Sequence, residues 1–355
     1  MRRPARGAGK LARRAAGRGS LRVSQDILVV GPSWVGDMVL AQALFMRLKQ
    51  RFPQGAIDVL APGWSLPLLA RMPEVRAGIE LPLAHGEFGF FRRRALGRAL
   101  RQRRYARAIV LPNSWKSALV PYFARIPRRS GYARELRYGL LNDLRPLDRQ
   151  RLPTTVQQFL ALAEDAPPAQ APEILEPRLR TDPARLATLR QRLGLDAQRP
   201  AVALMPGAEY GPAKRWPLEY YAELAGALAA RGFQVWVLGS AKEKALGDAI
   251  ACNRAFVHDL TGRTELVDVV DLLGAAQAAV TNDSGLMHVA AAVGTRLVAL
   301  YGSSSPKMTP PLSDRARILY LGLACSPCFA RQCPLGHFNC LRGISPAQVL
   351  AALER

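Results

Sequence analysis

The sequence lacks the long apolar runs of a membrane-spanning protein. A transmembrane helix needs about 18 or more consecutive apolar residues, and stretches such as GLMHVAAAVGTRLVALYG are interrupted by histidine, glycine and arginine. Residues 1–25 hold eight lysines and arginines but no apolar segment, so this head is a poor secretory signal. We predict that it is a disordered basic tail.

Acidic residues are scarce as well. The 355-residue chain has 27 aspartates and glutamates against 50 lysines and arginines, which gives a formal net charge of +23. This excess indicates an anionic partner, which could be a nucleic acid, a phosphorylated substrate or a membrane surface. No helix-turn-helix, zinc-finger, KH or RRM signature occurs, and this argues against nucleic acid.

The common nucleotide-binding loops are missing too. The strand-like DILVV is followed by GPSWVGDM, which matches neither G-x-G-x-x-G nor G-x-x-x-x-G-K-[ST]. We expect Gly31 and Gly36 to keep this loop slim so that another molecule can approach its backbone. Asp37 falls at or near the N-cap of the next helix, where it is either a simple cap or a general base that projects into a cleft. The two roles are compatible.

The chain does contain strands that alternate with helices, in two series. The first series covers residues 26–165 and the second covers residues 182–355. Between them, residues 166–181 are rich in proline and alanine and lose all periodicity, which is typical of a linker. The sequence therefore predicts an α/β protein of two Rossmann-like domains that face each other across a cleft, with ligands at the carboxyl ends of the strands.

The second series offers a first candidate site for an anion. Lys214 and Arg215 precede a helix whose predicted first residue is Pro217. Two cations beside a helix N-terminus favour anion binding, and they suit a diphosphate leaving group because they neutralise the charge that develops on it. Solvated surface cations are the alternative.

A second candidate site lies in NDSGLMH. Asp283 can accept hydrogen bonds from sugar hydroxyls, and the backbone N–H groups near Ser284, Gly285 and Leu286 can point at a phosphate. Capping alone also explains these polar residues. His288, in the same helix, is either a catalytic base or a hydrogen-bonded structural histidine.

An arginine-rich stretch stands out in the first series. FGFFRRRALGRALRQRRYARA interleaves aromatic and aliphatic residues with arginines. Such a segment suits a membrane surface or an acidic glycolipid. A solvated helix face is the alternative.

Cysteines are few and clustered. With no export signal, the five cysteines favour a reducing compartment, so disulfides are not the default interpretation. Four of them and one histidine occur within CSPCFARQCPLGHFNC: Cys325, Cys328, Cys333, Cys340 and His337. The C-x2-C start resembles a zinc knuckle, but the later spacings fit no standard finger. A structural zinc site and free or oxidised thiols both stay open.

Several blocks together resemble glycosyltransferase family 9, the heptosyltransferases. The resemblance spans residues 26–320 and departs in the basic head, in residues 166–199 and in the cysteine cluster. The blocks that carry it are ILVVGPSWVGDMVLAQALF, DVLAPGWSLPLLARMPEV, VLPNSWKSALVPYFARIPRRSGY, RYGLLNDLRPLD, PGAEYGPAKRWP and VTNDSGLMHVAAA.

The resemblance implies the GT-B fold and an inverting transfer of L-glycero-D-manno-heptose. The implied donor is ADP-heptose, and the implied acceptor is the first heptose of the lipopolysaccharide inner core, on heptosylated Kdo-lipid A. It also implies a cytoplasmic enzyme, peripheral on the inner face of the inner membrane, whose chemistry needs no metal; no D-x-D pattern occurs. The alternatives are a GT-B transferase with another sugar nucleotide and a non-catalytic basic protein that binds membranes or nucleic acid.

The resemblance also implies roles for single residues. Asp37 is the expected base, and Lys214 is the expected diphosphate clamp. Asp283 is expected to hold the donor sugar, and Glu243, in LGSAKEKA, is expected to bind the donor's ribose. The expected acceptor contacts are Gly36, Asn113, Lys116 and Arg134.

Overall fold

The computed structural model describes residues 25–83 and 86–354. The predicted basic tail therefore lies outside the described residues, apart from the exposed Gln25. Within the described part of the chain, no helix is long and apolar enough to cross a membrane.

The N-terminal domain is built on a six-stranded parallel sheet in the order β3-β2-β1-β4-β5-β6. Its strands are β1 (Ile27–Val30), β2 (Ile57–Ala61), β3 (Val75–Glu80), β4 (Arg107–Val110), β5 (Arg128–Tyr132) and β6 (Asp143–Arg145). Its helices are α1 (Val35–Arg51), α2 (Leu66–Leu69), α3 (Phe90–Leu100), α4 (Leu119–Phe123) and α5 (Thr155–Ala161). β1 is buried along its whole length, as expected for a strand covered on both faces.

The C-terminal domain repeats this plan in the order β12-β11-β10-β7-β8-β9. Its strands are β7 (Ala201–Met205), β8 (Gln234–Val237), β9 (Val257–Asp259), β10 (Ala278–Asn282), β11 (Arg296–Tyr301) and β12 (Ala316–Tyr320). Its helices are α6 (Pro183–Leu193), α7 (Leu218–Ala230), α8 (Lys244–Ala251), α9 (Leu266–Ala275), α10 (Gly285–Ala292), α11 (Asn339–Arg342) and α12 (Pro346–Glu354). The prediction of two Rossmann-like α/β domains is confirmed.

Both sheets have a topological switch point at the equivalent place. In the first sheet β1 pairs with β2 on one side and with β4 on the other, so Val30 faces both Leu60 and Val110. In the second sheet β7 pairs with β8 and β10 in the same way. The loops that leave β1 and β4, or β7 and β10, diverge to opposite faces and open a crevice between them, where ligands bind in such sheets.

The two domains touch through the N-termini of α1 and α10. A Cβ added to Gly36 would lie 2.7 Å from His288 Cδ2, and one added to Gly285 would lie 2.9 Å from Val35 Cβ. Gly36 of the GPSWVGDM loop therefore leaves room for α10 of the other domain. The expectation that Gly36 leaves room for a separate molecule is wrong, and its assignment as an acceptor contact is corrected to domain packing.

The connecting segment also joins the domains. Gln42 on α1 donates from Nε2 to the Arg178 carbonyl at 2.8 Å, and its Oε1 accepts from Arg178 N at 3.0 Å. Arg71 forms an ion pair with the buried Asp271 of α9, with Nη2 and Oδ2 2.7 Å apart. These contacts hold the carboxyl ends of the two sheets beside each other.

Candidate active site

Asp37 lies at the boundary between the two domains. It is the third residue of α1, whose N-cap is Trp34, and no side chain caps this helix. Burial raises the pKa of Asp37 to about 6, and the nearby Lys214 opposes this rise. No hydrogen bond to its carboxylate occurs among the described residues. Asp37 is therefore not a simple cap but a half-buried carboxylate with an altered pKa.

Lys214 comes from the loop after β7. It ends a single 3-10 turn, Pro212–Lys214, and its Nζ donates to Asp283 Oδ2 at 2.5 Å. The Lys214 side chain is 18% exposed and that of Asp283 is 6% exposed. A largely buried ion pair of this kind fixes the position of the ammonium group, which still has two N–H groups for other acceptors.

Asn282 fastens the loop that carries Lys214. This buried residue ends β10, and its Oδ1 accepts from Trp216 N at 3.0 Å and from Tyr221 Oη at 3.2 Å. Its Nδ2 donates to the Pro206 carbonyl at 2.7 Å. The amide therefore bonds to both ends of the β7 loop. The sequence alone indicated no role for Asn282 beyond capping.

The N-terminus of α10 faces the same crevice. Ser284 is its N-cap, with an extended backbone and no side-chain cap bond. Ser284, Gly285 and Leu286 line a cavity formed mostly by the C-terminal domain. Because the first N–H groups of a helix have no partner within it, this edge attracts an anion.

That cavity, the C-terminal pocket, has a volume of about 600 Å³. Apolar side chains line most of it, among them Met205, Leu238 and Val269, and Val35, Trp64 and Pro67 of the N-terminal domain complete it. Glu243 lies on its floor, where a Cβ on Gly207 would be 1.5 Å from Glu243 Oε1. Glu243 Oε2 also accepts from Ser240 N at 2.7 Å, which closes a capping box before α8. Gly207 is therefore required for this carboxylate to reach the pocket.

Thr264 was not predicted from the sequence. It lines the C-terminal pocket, and its buried Oγ1 has no hydrogen-bond partner within the described part of the chain. A buried hydroxyl without a partner is rare in proteins and points to a ligand or water that completes it. The stretch GRTE before the apolar start of α9 is the sequence signal that could have found it.

His288 is buried where α10 meets α1 and lines neither pocket. Burial lowers its pKa to about 4, so the ring is neutral near pH 7. The charge of Asp283 opposes this shift and that of Lys214 adds to it. Its Nδ1 is buried without a partner in the described residues, so the expected structural hydrogen bond is not present.

A second cavity, the N-terminal pocket, adjoins Asp37. It has a volume of about 1060 Å³ and lies between the loops that follow β1, β2 and β4. Two of the predicted acceptor contacts, Asn113 and Lys116, line it. Lys116 Nζ donates to the Gly86 carbonyl at 3.1 Å. Asp37 lines this pocket and also lies near Lys214 of the other domain.

Two arginines do not reach the pockets to which they were assigned. Arg134 is exposed on the loop after β5 and does not line the N-terminal pocket, because β5 lies one strand farther from the switch point than β4. Arg215 is exposed and donates from Nη2 to the Ala208 carbonyl at 3.4 Å, outside the C-terminal pocket. The structure also makes Pro217 the N-cap of α7 rather than its first helical residue.

This geometry agrees with the likeness of the chain to known proteins. The model of glycosyltransferase family 9 (heptosyltransferase) matches residues 93–339. The chain belongs to glycosyltransferase family 9.

Relatives of high identity support this assignment. The chain is 47% identical over 338 residues to lipopolysaccharide heptosyltransferase 2 of Salmonella typhimurium, a match that covers 92% of this chain and 97% of the relative. It is 49% identical over 308 residues to lipooligosaccharide heptosyltransferase 2 of Haemophilus influenzae, with 83% and 88% covered. The structure of E. coli ADP-heptose lipopolysaccharide heptosyltransferase II matches with a TM-score of 0.84 and 45% identity, covering 93% of this chain and 97% of the other.

This membership confirms three predictions from the sequence. The chain is a heptosyltransferase, it has the GT-B fold of that family, and the resemblance of its sequence blocks to family 9 is correct. The roles of single residues stay predictions.

Proposed function

We propose that this heptosyltransferase moves L-glycero-D-manno-heptose from ADP-heptose to the first heptose of the lipopolysaccharide inner core, with inversion at the anomeric carbon. The relatives that are 47% and 49% identical are named heptosyltransferase 2, and the E. coli enzyme of matching structure is named an ADP-heptose heptosyltransferase II. We infer that this chain uses the donor and the acceptor position that these names indicate.

The position of Asp37 between the two pockets carries the mechanism. Its pKa of about 6 lets it stay ionised near pH 7 and still accept a proton effectively. An acceptor hydroxyl in the N-terminal pocket gives its proton to Asp37 while its oxygen bonds to the anomeric carbon of the donor. The bond from that carbon to the phosphate oxygen breaks on the opposite face, and ADP leaves.

Lys214 and the start of α10 stabilise the leaving diphosphate. One N–H of the ammonium is held by Asp283, and the remaining two are available to phosphate oxygens. The N–H groups of Ser284, Gly285 and Leu286 add partial positive charge at the same edge. Asp283 has a second carboxylate oxygen with which to accept from a hydroxyl of the donor sugar. Because these groups neutralise the diphosphate, we propose that the transfer uses no metal ion, so added Mg²⁺ should leave the rate unchanged.

The C-terminal pocket suits the nucleoside of ADP. Its apolar walls can hold a planar base, and Glu243 can accept from the ribose hydroxyls. Thr264 Oγ1 offers an additional hydrogen bond within the same walls.

The outer face of α3 suits an anionic membrane. Phe91 is 77% exposed, and its ring packs against Phe90 with the centroids 5.5 Å apart. Exposed arginines follow on α3, on the turn after it and after α4, which packs against α3: Arg92, Arg98, Arg103, Arg104 and Arg125. We propose that this face contacts the cytoplasmic leaflet that carries the acceptor. Phe91→Ser should weaken co-sedimentation with phosphatidylglycerol vesicles; wild-type protein that binds neutral phosphatidylcholine vesicles equally well would contradict the proposal.

The substrate assignment is tested by ADP release. The wild-type protein should release ADP from ADP-heptose only when the acceptor already carries one heptose, and NMR of the product should show inversion at the anomeric carbon. UDP-glucose and GDP-mannose, and an acceptor without heptose, are the controls. Turnover with the acceptor that lacks heptose, or none with the heptosylated acceptor, would overturn the assignment.

A further inference from the structure

The C-terminal domain carries a segment that the transfer reaction does not use. Residues 325–340, called the cysteine loop below, follow β12 and contain four of the five cysteines. All four thiols are free: Cys325, Cys328, Cys333 and Cys340. They line one small cavity of about 160 Å³ together with His337 and Phe338. Thiols from both ends of the loop therefore border one space large enough for an ion.

We propose that the cysteine loop binds one divalent metal ion that prefers sulfur ligands, Zn²⁺ or Fe²⁺, through its four thiolates. Four cysteines around one point are the usual ligand set of structural zinc and of iron–sulfur coordination. The first two form the C-x2-C pair that commonly supplies two ligands from one turn. Among the described residues no three donors are already gathered as a ligand set. Binding therefore requires the thiols to turn into the cavity that they line.

The chemistry of the four side chains fits such a cation. Thiolates, not thiols, are the ligands of these metals. A divalent cation offsets the repulsion between thiolates that border one cavity, so its binding favours their deprotonation.

His337 is the remaining donor around the cavity. Its Nδ1 accepts from Asn339 N at 3.0 Å, at the start of α11. This hydrogen bond gives the imidazole a structural role that needs no metal. We therefore assign the four thiolates, and not His337, as the ligands.

The metal should also affect the position of Lys214 and so the binding of ADP, an inference that rests on the proposed function. The cysteine loop holds the turn that carries Lys214, because the Arg331 carbonyl accepts from Ala213 N at 3.1 Å and the Phe329 carbonyl accepts from Tyr210 Oη at 2.7 Å. Ala213 also lines the cavity between the thiols. Loss of the metal should therefore loosen Lys214 and weaken ADP binding.

The test measures metal content directly. The full-length protein is purified without a polyhistidine tag, and zinc and iron are quantified by plasma mass spectrometry. We expect about one ion per chain, falling to below about 0.1 in Cys333→Ser and in Cys340→Ser, since each ligand is required for tight binding. Cys252→Ser is the matched control, because Cys252 is exposed at the end of α8 and does not line the cavity, and His337→Gln should keep the metal.

A second measurement covers variants that fail to fold. Wild-type protein stripped by a chelator and titrated with Co²⁺ should show the intense sulfur-to-cobalt absorption and tetrahedral bands of a four-thiolate site. Wild-type protein that holds no metal and shows no such bands would overturn the proposal, and so would disulfides among the four cysteines in the reduced preparation. Loss of metal in His337→Gln would overturn the assignment of the ligands. None of these results depends on transferase activity, so failure of the metal site and failure of the proposed function are distinguishable.

Discussion

The C-terminal pocket is the smaller of the two and is lined mostly by apolar groups, whereas the N-terminal pocket is larger and its lining is about equally polar and apolar. In the C-terminal pocket, Glu243 Oε2 accepts from Ser240 N at 2.7 Å. Lys214 Nζ and Asp283 Oδ2, 2.5 Å apart, line neither pocket but adjoin the C-terminal one through Ser284. In the N-terminal pocket, Lys116 bonds to a backbone carbonyl at 3.1 Å, and the cavity is nearly twice as large. Both pockets nevertheless occupy the same position in the same sheet order.

This difference shows how one topology can serve two substrates. A nucleotide sugar is small and always the same, so a pocket with fixed donors and acceptors binds it without reorganisation. A lipid-linked sugar is large and only its terminal hydroxyl must be placed. The N-terminal domain therefore needs one well-placed base and a broad basic surface.

Removal of the base should have the largest effect. Asp37→Asn should lower kcat by about 10²–10⁴-fold, the usual contribution of general base catalysis. ADP release with saturating donor and acceptor measures this. Asp248→Asn is the control, because Asp248 is an exposed carboxylate on α8 whose partner is Lys244. A rate for Asp37→Asn within about threefold of the wild type, roughly the scatter of a neutral change, would place the base elsewhere.

Loss of the diphosphate clamp should come next. Lys214→Ala should lower kcat/KM for the donor by about 10²–10³-fold, because the substitution removes the cation that faces the leaving group and leaves Asp283 buried and unpaired. Steady-state kinetics with varied ADP-heptose tests this. Lys244→Ala removes a cation that lines neither pocket and whose ion pair with Asp248 is exposed, so kcat/KM for the donor should not change. Equal effects of the two substitutions would remove Lys214 from the donor site.

Acidification should lower kcat by about one order of magnitude but leave ADP affinity unchanged. With its pKa near 6, Asp37 is mostly ionised at pH 7 and mostly protonated at pH 5, so kcat should fall about tenfold over that range. ADP affinity, measured by calorimetry over the same range, should not follow this fall.

The same shift gives a prediction for stability. Because burial raises the pKa of Asp37, the folded state is destabilised as the pH rises from about 4 to above 6. Asp37→Asn should therefore be more stable than the wild type at pH 7–8, by up to about 2–3 kcal/mol, and this gain should vanish below pH 4. Urea unfolding at the two pH values measures it. A destabilised variant at pH 8 would contradict the burial of an unpaired carboxylate.

Among the kinetic constants, loss of Glu243 should change only the KM for the donor. Glu243→Ala should raise the KM for ADP-heptose about tenfold, the cost of a lost hydrogen bond to a charged group. It should also cost about 1 kcal/mol of stability, because its capping box with Ser240 is lost. Glu243→Gln keeps the cap and is the matched control. If both variants bind the donor as the wild type does, Glu243 only caps the helix.

The smallest effect is expected on the acceptor side. Lys116→Ala should raise the KM for the acceptor only about two- to fivefold, because a partly exposed cation contributes little in water. Arg134→Ala should change nothing, since Arg134 lies outside the N-terminal pocket. A larger effect from Arg134 than from Lys116 would restore the assignment made from the sequence.

The sequence was sufficient for the features that depend on local patterns. The alternation of strands and helices predicted both sheets, and the loops that hold Asp37, Lys214 and Asp283 were predicted at the carboxyl ends of the strands, where they lie. Prediction from the sequence was wrong where contacts between distant segments determine the structure. The space beside Gly36 is filled by α10 of the other domain, and this close approach leaves no local signal.

Residues with the same chemistry were also hard to separate. Lys214 and Arg215 are adjacent and both basic. In the structure only Lys214 reaches Asp283, whereas Arg215 donates to the Ala208 carbonyl. Thr264 went unnoticed because a single threonine before a helix is usually a cap. Its importance rests on a buried hydroxyl with no partner in the described part of the structure, and that burial depends on residues distant in the sequence.

The most direct test of this division of labour is the affinity of Asp37→Asn for ADP-heptose, measured by calorimetry beside its kcat. We expect a dissociation constant within about twofold of the wild type, although turnover is nearly lost, because Asp37 serves the acceptor and not the donor. A dissociation constant more than about tenfold weaker, equivalent to over 1.4 kcal/mol, would place Asp37 in the donor site and contradict the assignment of one substrate to each domain.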